Sequence, residues 1–266
     1  QIYPNAELGG DEELCEAVAM GTIQMALPST SVLTSYNEEI GVLDMPYLFK
    51  DSQSAFDALD GDLGSQISEW IAGNGFVSLG YTYNGPRCTT NSVHPINTPA
   101  DLAGLKIRVM SSPVFIRMYE VLGANPTPMS FSEVFTGLQQ NVIDGQESPL
   151  STIDSSSFAE VQKYLSLTGH FWTNECLLIN EKLWESLPEE WQTILQEEVD
   201  ACETRIREKN IQSDEDLVAK LESEGMEVNE VDKSAFAEKL QPLYDEWEGK
   251  VIGSDLMNAY REYSGY

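Results

Sequence analysis

Two arginines carry the strongest chemical signal in this chain. No Lys or Arg occurs before Lys50, and between Lys50 and Lys163 the only basic residues are Arg87, Lys106, Arg108 and Arg117. Arg108 lies inside Leu105-Lys-Ile-Arg-Val-Met110, an apolar run that alternates as a strand should. Arg87 follows Asn84-Gly-Pro86 at the start of what reads as another strand. A guanidinium in such surroundings is costly to bury unless it is paired. Its planar fork matches a carboxylate bidentately. Two readings stand at this point: a clamp for the carboxylate of a small-molecule ligand, or an internal ion pair with one of the 44 acidic residues.

Other chemistry is more weakly indicated. Asp144 and Glu147 have the residue types of an acid–base pair, and a hydrolytic enzyme using them is the alternative from another class. Paired carboxylates are common in any acidic chain, so they do not by themselves mark catalysis. His94 and His170 are the only histidines and suggest no Ser-His-Asp arrangement; His170, before an aromatic strand, reads as a core or hinge residue. There is no Gly-x-x-x-x-Gly-Lys loop and no Gly-x-Gly-x-x-Gly, and the four Cys (15, 88, 176 and 202) form no Cys-x-x-Cys. No metal and no cofactor is therefore expected. The cysteines are either small buried hydrophobes or two disulfides of open connectivity.

Composition narrows the partners. With 44 acidic against 15 basic residues the net charge is −29 over 266 residues. Nucleic-acid binding needs a basic face and is excluded; docking on anionic lipid is disfavoured. The apolar runs are too short to span a bilayer. No signal peptide opens the chain, which leaves export open.

The elements that must position these residues follow an α/β pattern. The spacing predicts a helix from Asp11 closed by Gly21, then a short strand over Ile23–Leu27. The hydroxyls of Ser29 and Thr30 come directly after it, where they bind a ligand or cap the next segment. Helices are expected from Ser52 or Ser54 to about Leu59 and over Asp62–Gly73, and a strand over Phe76–Tyr83, after which Asn-Gly-Pro bends the chain. The Arg108 strand leads through helix 113–122, a turn-rich phrase from Gly123 to Phe131, and helix 132–141 into Val142-Ile-Asp-Gly-Gln-Glu147. A helix to Tyr164 and a link over Leu165–Gly169 come next. A strand over Phe171–Asn180 carries Trp172, Asn174 and Glu175 near its start. A long helix then runs from about Leu187-Pro188 to about Glu224, followed by a short strand (226–228), a helix to about Trp247 and a polar tail with helical signals. The opening Gln1–Pro4 reads as the end of a strand.

These phrases resemble the substrate-binding proteins of tripartite ATP-independent periplasmic (TRAP) transporters, of the DctP type. The match rests on Tyr3-Pro-Asn with Leu8-Gly and Asp11, Gly21-Thr-Ile, Asn84-Gly with Arg87 and Thr89-Thr-Asn91, Leu102 to Val109, Gly123 to Met129, Phe131-Ser-Glu-Val, Asp144-Gly-Gln-Glu with Pro149-Leu, and Leu187-Pro-Glu-Glu. The resemblance implies an α/β, two-lobed periplasmic-binding-protein-like fold with hinge strands and a long connecting helix. Lobe I would comprise 1–84 with 174–212, and lobe II 85–173 with 213–266. It implies a non-enzymatic monomer, in the periplasm or lipid-anchored outside a Gram-positive cell. Such a protein closes on an organic acid and delivers it to the small and large subunits of a TRAP permease.

Site roles come with the resemblance. Arg108 would grip the ligand carboxylate, Arg87 would contact the acid group, and Phe131 would pack on the ligand. The position after Gly-Gln-Glu, commonly Asn, is Ser148 here, so selectivity is expected to differ around Gln146 and Ser148. Glu175 falls at a ligand-contacting position; a carboxylate there suits sugar hydroxyls and would repel a second carboxylate. A hexuronate-like sugar acid is thus favoured over a C4-dicarboxylate, with Trp172 available to stack on a sugar face or to fill the core. The resemblance also implies a βα unit of ~30 residues before Tyr3.

Overall fold

The computed structural model describes residues 1–4 and 6–248; the tail beyond Glu248 lies outside the described residues. In chain order the elements are α1 (Asp11–Met20), β1 (Met25–Ala26), α2 (Ser52–Leu59), α3 (Asp62–Ile71), β2 (Phe76–Asn91), β3 (Lys106–Val109), α4 (Pro113–Val121), β4 (Asn125–Pro128), α5 (Phe131–Gln139), β5 (Gly145–Pro149), α6 (Leu150–Ser155), β6 (Tyr164–Leu167), β7 (Trp172–Asn180), α7 (Glu181–Ser186), α8 (Glu189–Ser223), β8 (Glu227–Glu230) and α9 (Lys233–Trp247). Tight 3-10 turns over Thr30–Ser35 and Glu38–Asp44 link β1 to α2. No described helix is long and apolar enough to cross a membrane.

The strands run in the order β1-β7-β2-β5-β3-β4, with β6 joining β2 to β8. β2 is the common member of both lobes. Its first part, Phe76–Pro86, pairs antiparallel with β7; its last part, Arg87–Asn91, lies between β5 and β6. The expected bend at Asn84-Gly-Pro86 is instead a β-bulge between Tyr83 and Gly85 inside one 16-residue strand. Gly85 takes φ +115, which a side chain resists, and this lets the strand pass from one sheet to the next without a turn.

Other local expectations shift for visible reasons. Asp11 is the first helical residue and Gly10 the cap, so the Asp11 side chain is free to turn elsewhere; Gly21 ends α1 at φ 76. The expected helix to Tyr164 stops at Ser155 in a run of three serines, with Ser157 left-handed at φ 55. The expected link after it is strand β6, with Leu165 and Ser166 wholly buried between β2 and β8. Gln1–Pro4 are unpaired coil. The cysteines are free thiols, three buried and Cys202 exposed.

The lobes do not divide their apolar cores at the expected boundaries. One cluster joins Cys15, Leu33 and Phe76 to Ile107, Phe115 and Phe236. Residues 41–47 make the crossing. Gly41 lies against Val114, Tyr47 N–H donates to His170 O (2.8 Å), and the Tyr244 hydroxyl donates to Pro46 O (2.6 Å). Asp44, wholly buried here, accepts from Ser31 Oγ (2.6 Å) and Ser112 Oγ (2.5 Å).

α8, 35 residues and about 50 Å long, ties the halves together. Leu195 and Val199 pack on Leu79 and Ile179; Leu217, Val218 and Leu221 join a separate cluster with Val134, Leu138 and Leu165. Between them α8 covers the edge of β2 with polar side chains. Gln196 donates to Leu79 O (2.7 Å), Arg207 to Tyr81 O (2.8 Å) and Asn210 to Tyr83 O (2.5 Å). Alternate carbonyls of an otherwise open strand edge are thereby satisfied.

Several carboxyls are buried in this packing. Loss of solvation pushes Asp44 and Glu203 up to about 7 and Asp214 up to about 6. Below those values the folded state keeps protons that the unfolded chain has released, so stability falls as pH rises from about 4 to about 7. Melting curves in high salt, which screens the net charge, should show a Tm higher at pH 5.5 than at pH 8; a flat or rising profile would contradict this.

Candidate ligand-binding site

The strand register separates the two arginines. Side chains alternate across a sheet. On β2 and β5, Arg87, Thr89 and Glu147 share one face, while Cys88, Thr90, Gln146 and Ser148 share the other. Arg108 on β3 is in register with Gln146, which places it on that second face. Arg87 accordingly meets α4, with its guanidinium 5.7 Å from the Phe115 ring centre. Arg108 meets the start of α5, 5.8 Å from the ring centre of Phe131.

Arg87 is already paired. It ion-pairs with Glu147 through Nε, its Nη2 donates to Glu147 Oε1 (2.8 Å), and its Nη1 donates to Thr173 Oγ1 (3.2 Å). His170 Nε2 lies 3.4 Å from Glu147 Oε2, and His170 Nδ1 is 2.8 Å from Thr168 Oγ1. Glu147 is wholly buried. Burial alone would raise its carboxyl, but Arg87 and His170 hold it below the usual range. Asp144 is half-buried and takes the Lys106 main-chain N–H (2.8 Å). Asp144 and Glu147 thus face different surroundings and form no acid–base pair. Lys106, on the same face as Arg108, stays exposed and reaches the Asn141 and Val142 carbonyls (3.3 Å each).

Arg108 has no such partner. It is 3% exposed, and its Nε donates to Met129 O (2.9 Å). Among the described residues no carboxylate forms an ion pair with it. Burial draws its pKa down to about 10; Arg87 pushes the same way, against Glu147 and Asp11. A desolvated cation with one main-chain acceptor is an arrangement that an incoming anion completes.

Around it, Ser148 Oγ donates to Gln146 Oε1 (2.6 Å), Gln146 Nε2 donates to Thr90 Oγ1 (3.0 Å), and Thr90 Oγ1 donates to Gln162 Oε1 (2.9 Å). The hydroxyl hydrogen of Ser148 is therefore engaged internally, and its oxygen remains an acceptor. On β7, Trp172 is drawn to the core: its indole N–H donates to Phe49 O (3.0 Å), and its ring lies 5.8 Å from Tyr83. Asn174 donates to Trp172 O (3.0 Å), and its buried Oδ1 has no partner among the described residues. Thr30 Oγ1 donates to Asn174 O (3.2 Å), and Ser29 caps the turn that follows it. Here these hydroxyls hold the chain.

A cavity of about 1550 Å³ opens beside this cluster, with Asp11, Phe131, Ser132, Thr152 and Glu175 among its lining residues. Asp11 accepts the Ser29 N–H (3.2 Å), and Glu175 accepts from Asn84 Nδ2 (2.9 Å). Desolvation, and then repulsion from Asp11, raises Glu175 to about 7. Asp11, Asn84 and Thr152 were not expected as site residues; Asp11 opens the expected helix and Asn84 the expected bend, and the family phrases that hold them gave them no ligand role. Among the described residues no group of three or more His, Cys, Asp or Glu is placed to hold a metal.

Two lobes sharing strand β2, a cavity beside a buried arginine and a helix spanning both halves define a solute-binding protein of the two-lobed class. The chain belongs to the DctP family, bacterial extracellular solute-binding protein family 7, whose model matches residues 1–250. Its relatives are receptors of TRAP transporters, not enzymes. It is 40% identical over 265 residues to a solute-binding protein of Verminephrobacter eiseniae, covering 98% of this chain and 78% of that protein. It is 35% identical to the 2,3-diketo-L-gulonate-binding periplasmic protein of Escherichia coli (98% and 81% covered). The crystal structure of a TRAP periplasmic solute-binding protein from Polaromonas sp. JS666 bound to D-erythronate superposes with a TM-score of 0.94 at 35% identity, covering 98% of this chain and 86% of that one. Among further matched structures some hold galacturonate and others succinate.

The Arg87–Glu147 pair has a direct test. Glu147→Gln strands a buried guanidinium and should destabilise the fold by about 3–5 kcal/mol. Urea titration measures it, and a change below ~1 kcal/mol would mean that the pair is not what neutralises Arg87.

Proposed function

We propose that this protein captures a sugar acid, most simply a hexuronate, with Arg108 as its carboxylate clamp, and delivers it to the small and large subunits of a TRAP permease. The observation that carries the reading is Arg108 itself: buried, stacked over Phe131 and without an acidic partner among the described residues. Its counterpart Arg87 is occupied by Glu147. Arg87 then acts on the ligand through its field and by fixing β5, with direct contact left to Arg108. Phe131 offers a ring to the ligand body, Ser148 an acceptor oxygen, and Glu175 an acceptor for hydroxyls. The diketogulonate and erythronate of the relatives are acids of this kind.

A hydroxyl-rich monoacid suits this site better than a C4-dicarboxylate because Asp11 and Glu175 line the same cavity and neither is ion-paired among the described residues. A second ligand carboxylate would meet like charge there, increasingly so as pH rises through about 7 and Glu175 ionises. In this reading the protein works outside the cytoplasm, as a monomer in the periplasm or on a lipid anchor, and its membership of an extracellular solute-binding family supports the location.

Arg108→Met separates function from stability. Removing a buried, unpaired cation should leave the Tm of the ligand-free protein unchanged or raised. The same change should weaken hexuronate binding by about 100-fold, since the ligand carboxylate would be desolvated without a partner. Calorimetry with D-galacturonate and a thermal melt read the two effects; unaltered affinity would remove Arg108 from the site.

A further inference from the structure

Asn84 sits where three elements meet. It occupies the bulge in the pairing of β2 with β7, between Tyr83 and Gly85. Its side-chain oxygen accepts from Ser151 Oγ on α6 (2.7 Å), and the same hydroxyl reaches the Asn84 main-chain carbonyl (3.2 Å). The Ser151 donor fixes the amide's direction, so Nδ2 must face the other way. There it donates to Glu175 Oε1 on β7 (2.9 Å), with a longer contact to Thr152 Oγ1 (3.4 Å). Among the described residues no other side chain donates to Glu175. Thr82 is in register with Glu175, and alternation puts Asn84, two residues on, on that same face.

We propose that Asn84 is a positioning residue that sets ligand preference. By holding Glu175 Oε1 with its amide it keeps an oriented, hydrogen-bond-accepting carboxylate in the cavity wall, so that the site takes acids whose remaining groups donate hydrogen bonds and disfavours a second carboxylate. This assignment rests on the sugar-acid reading above and makes it more specific. A donor amide favours the ionised form of Glu175 against burial. Without it the carboxyl loses its fixed direction and more readily takes up a proton. Hydroxyl recognition then suffers, while the repulsion felt by a dicarboxylate relaxes.

The test is a double-mutant cycle read by calorimetry with D-galacturonate and succinate as probes, on wild type, Asn84→Ala, Glu175→Gln and the double variant, with Ser151→Ala alongside. Asn84→Ala should weaken galacturonate about 10-fold, the scale of one charge-assisted hydrogen bond. Succinate affinity should hold or rise, so the ratio of the two affinities falls. In the Glu175→Gln background the Asn84 substitution should have little further effect on either probe. Ser151→Ala, which releases the amide from its anchor on α6, should lower the ratio in the same direction as Asn84→Ala but by less. If Asn84→Ala does not fold, Asn84→Gln moves the amide by one methylene and should change the ratio in the same direction. Equal weakening of both probes, or full weakening with Glu175 already replaced, would overturn the role of Asn84. Wild-type protein that binds neither probe would instead overturn the sugar-acid reading itself.

Discussion

The site depends on how one buried charge is balanced and another is not. Two arginines enter the same small sheet from the strands on either side of β5, and only one finds a carboxylate among the described residues. Glu147 neutralises Arg87 on the α4 face, with His170 as an additional neighbour. On the opposite face Arg108 keeps its charge, shielded from water and bonded to a single main-chain oxygen. The strands' alternation accounts for the separation: Gln146 and Glu147 are consecutive residues and must point to opposite faces. A one-residue slip of β5 would bring Glu147 to Arg108 and leave Arg87 bare. Pairing of β5 with both β2 and β3 holds that register.

That register must survive in a molecule built from two halves. β2 belongs to both, and α8 runs along its otherwise open edge. The contact is mostly hydrogen bonds from Gln196, Arg207 and Asn210 to alternate strand carbonyls. Apolar packing is confined to the ends of α8, on Leu79 at one end and near Leu165 at the other. A helix held by apolar contacts at both ends and polar contacts in the middle ties the two halves together beside the bulged strand. Residues 41–47 add a second link, with Asp44 hydrogen-bonded to serines from both sides of the boundary expected near residue 84.

Much of this was legible in the residues because local rules decide it. Gly21 ends α1, Pro113 opens α4, and the strand–helix–strand rhythm from Lys106 to Pro149 matches the observed elements closely. The misses have a common cause, which is that long-range pairing settled them. Asn84-Gly-Pro86 has the composition of a turn, but β7 pairs on both sides of it and converts the turn to a bulge. Leu165 to Leu167 looks like a link until β2 and β8 flank it. The partner of Arg87 lies 60 residues away in sequence, and any of many acids could have served. Alternation could place Lys106 and Arg108 on one face, yet not say that one would be exposed and the other buried. Trp172 could stack or fill the core by type alone; the carbonyl of Phe49 decided for the core.

An anion approaching this protein meets an unfavourable field. The chain carries −29, and even the cavity is lined by Asp11 and Glu175. Long-range steering therefore opposes capture, though only over distances of about 8 Å at physiological ionic strength. On the proposed reading attraction comes at short range, where Arg108 has already lost its water and presents its charge at low effective dielectric. The cost of desolvating that cation was met when the chain folded, so an incoming carboxylate has to surrender only its own hydration. Affinity built this way resides in the slow loss of a well-seated ligand more than in rapid encounter. On the proposed reading the same arrangement favours ligands with one acid group. A second carboxylate adds to the long-range repulsion outside and to the like charge inside, whereas hydroxyls find acceptors already oriented, Glu175 by Asn84 and Ser148 by Gln146.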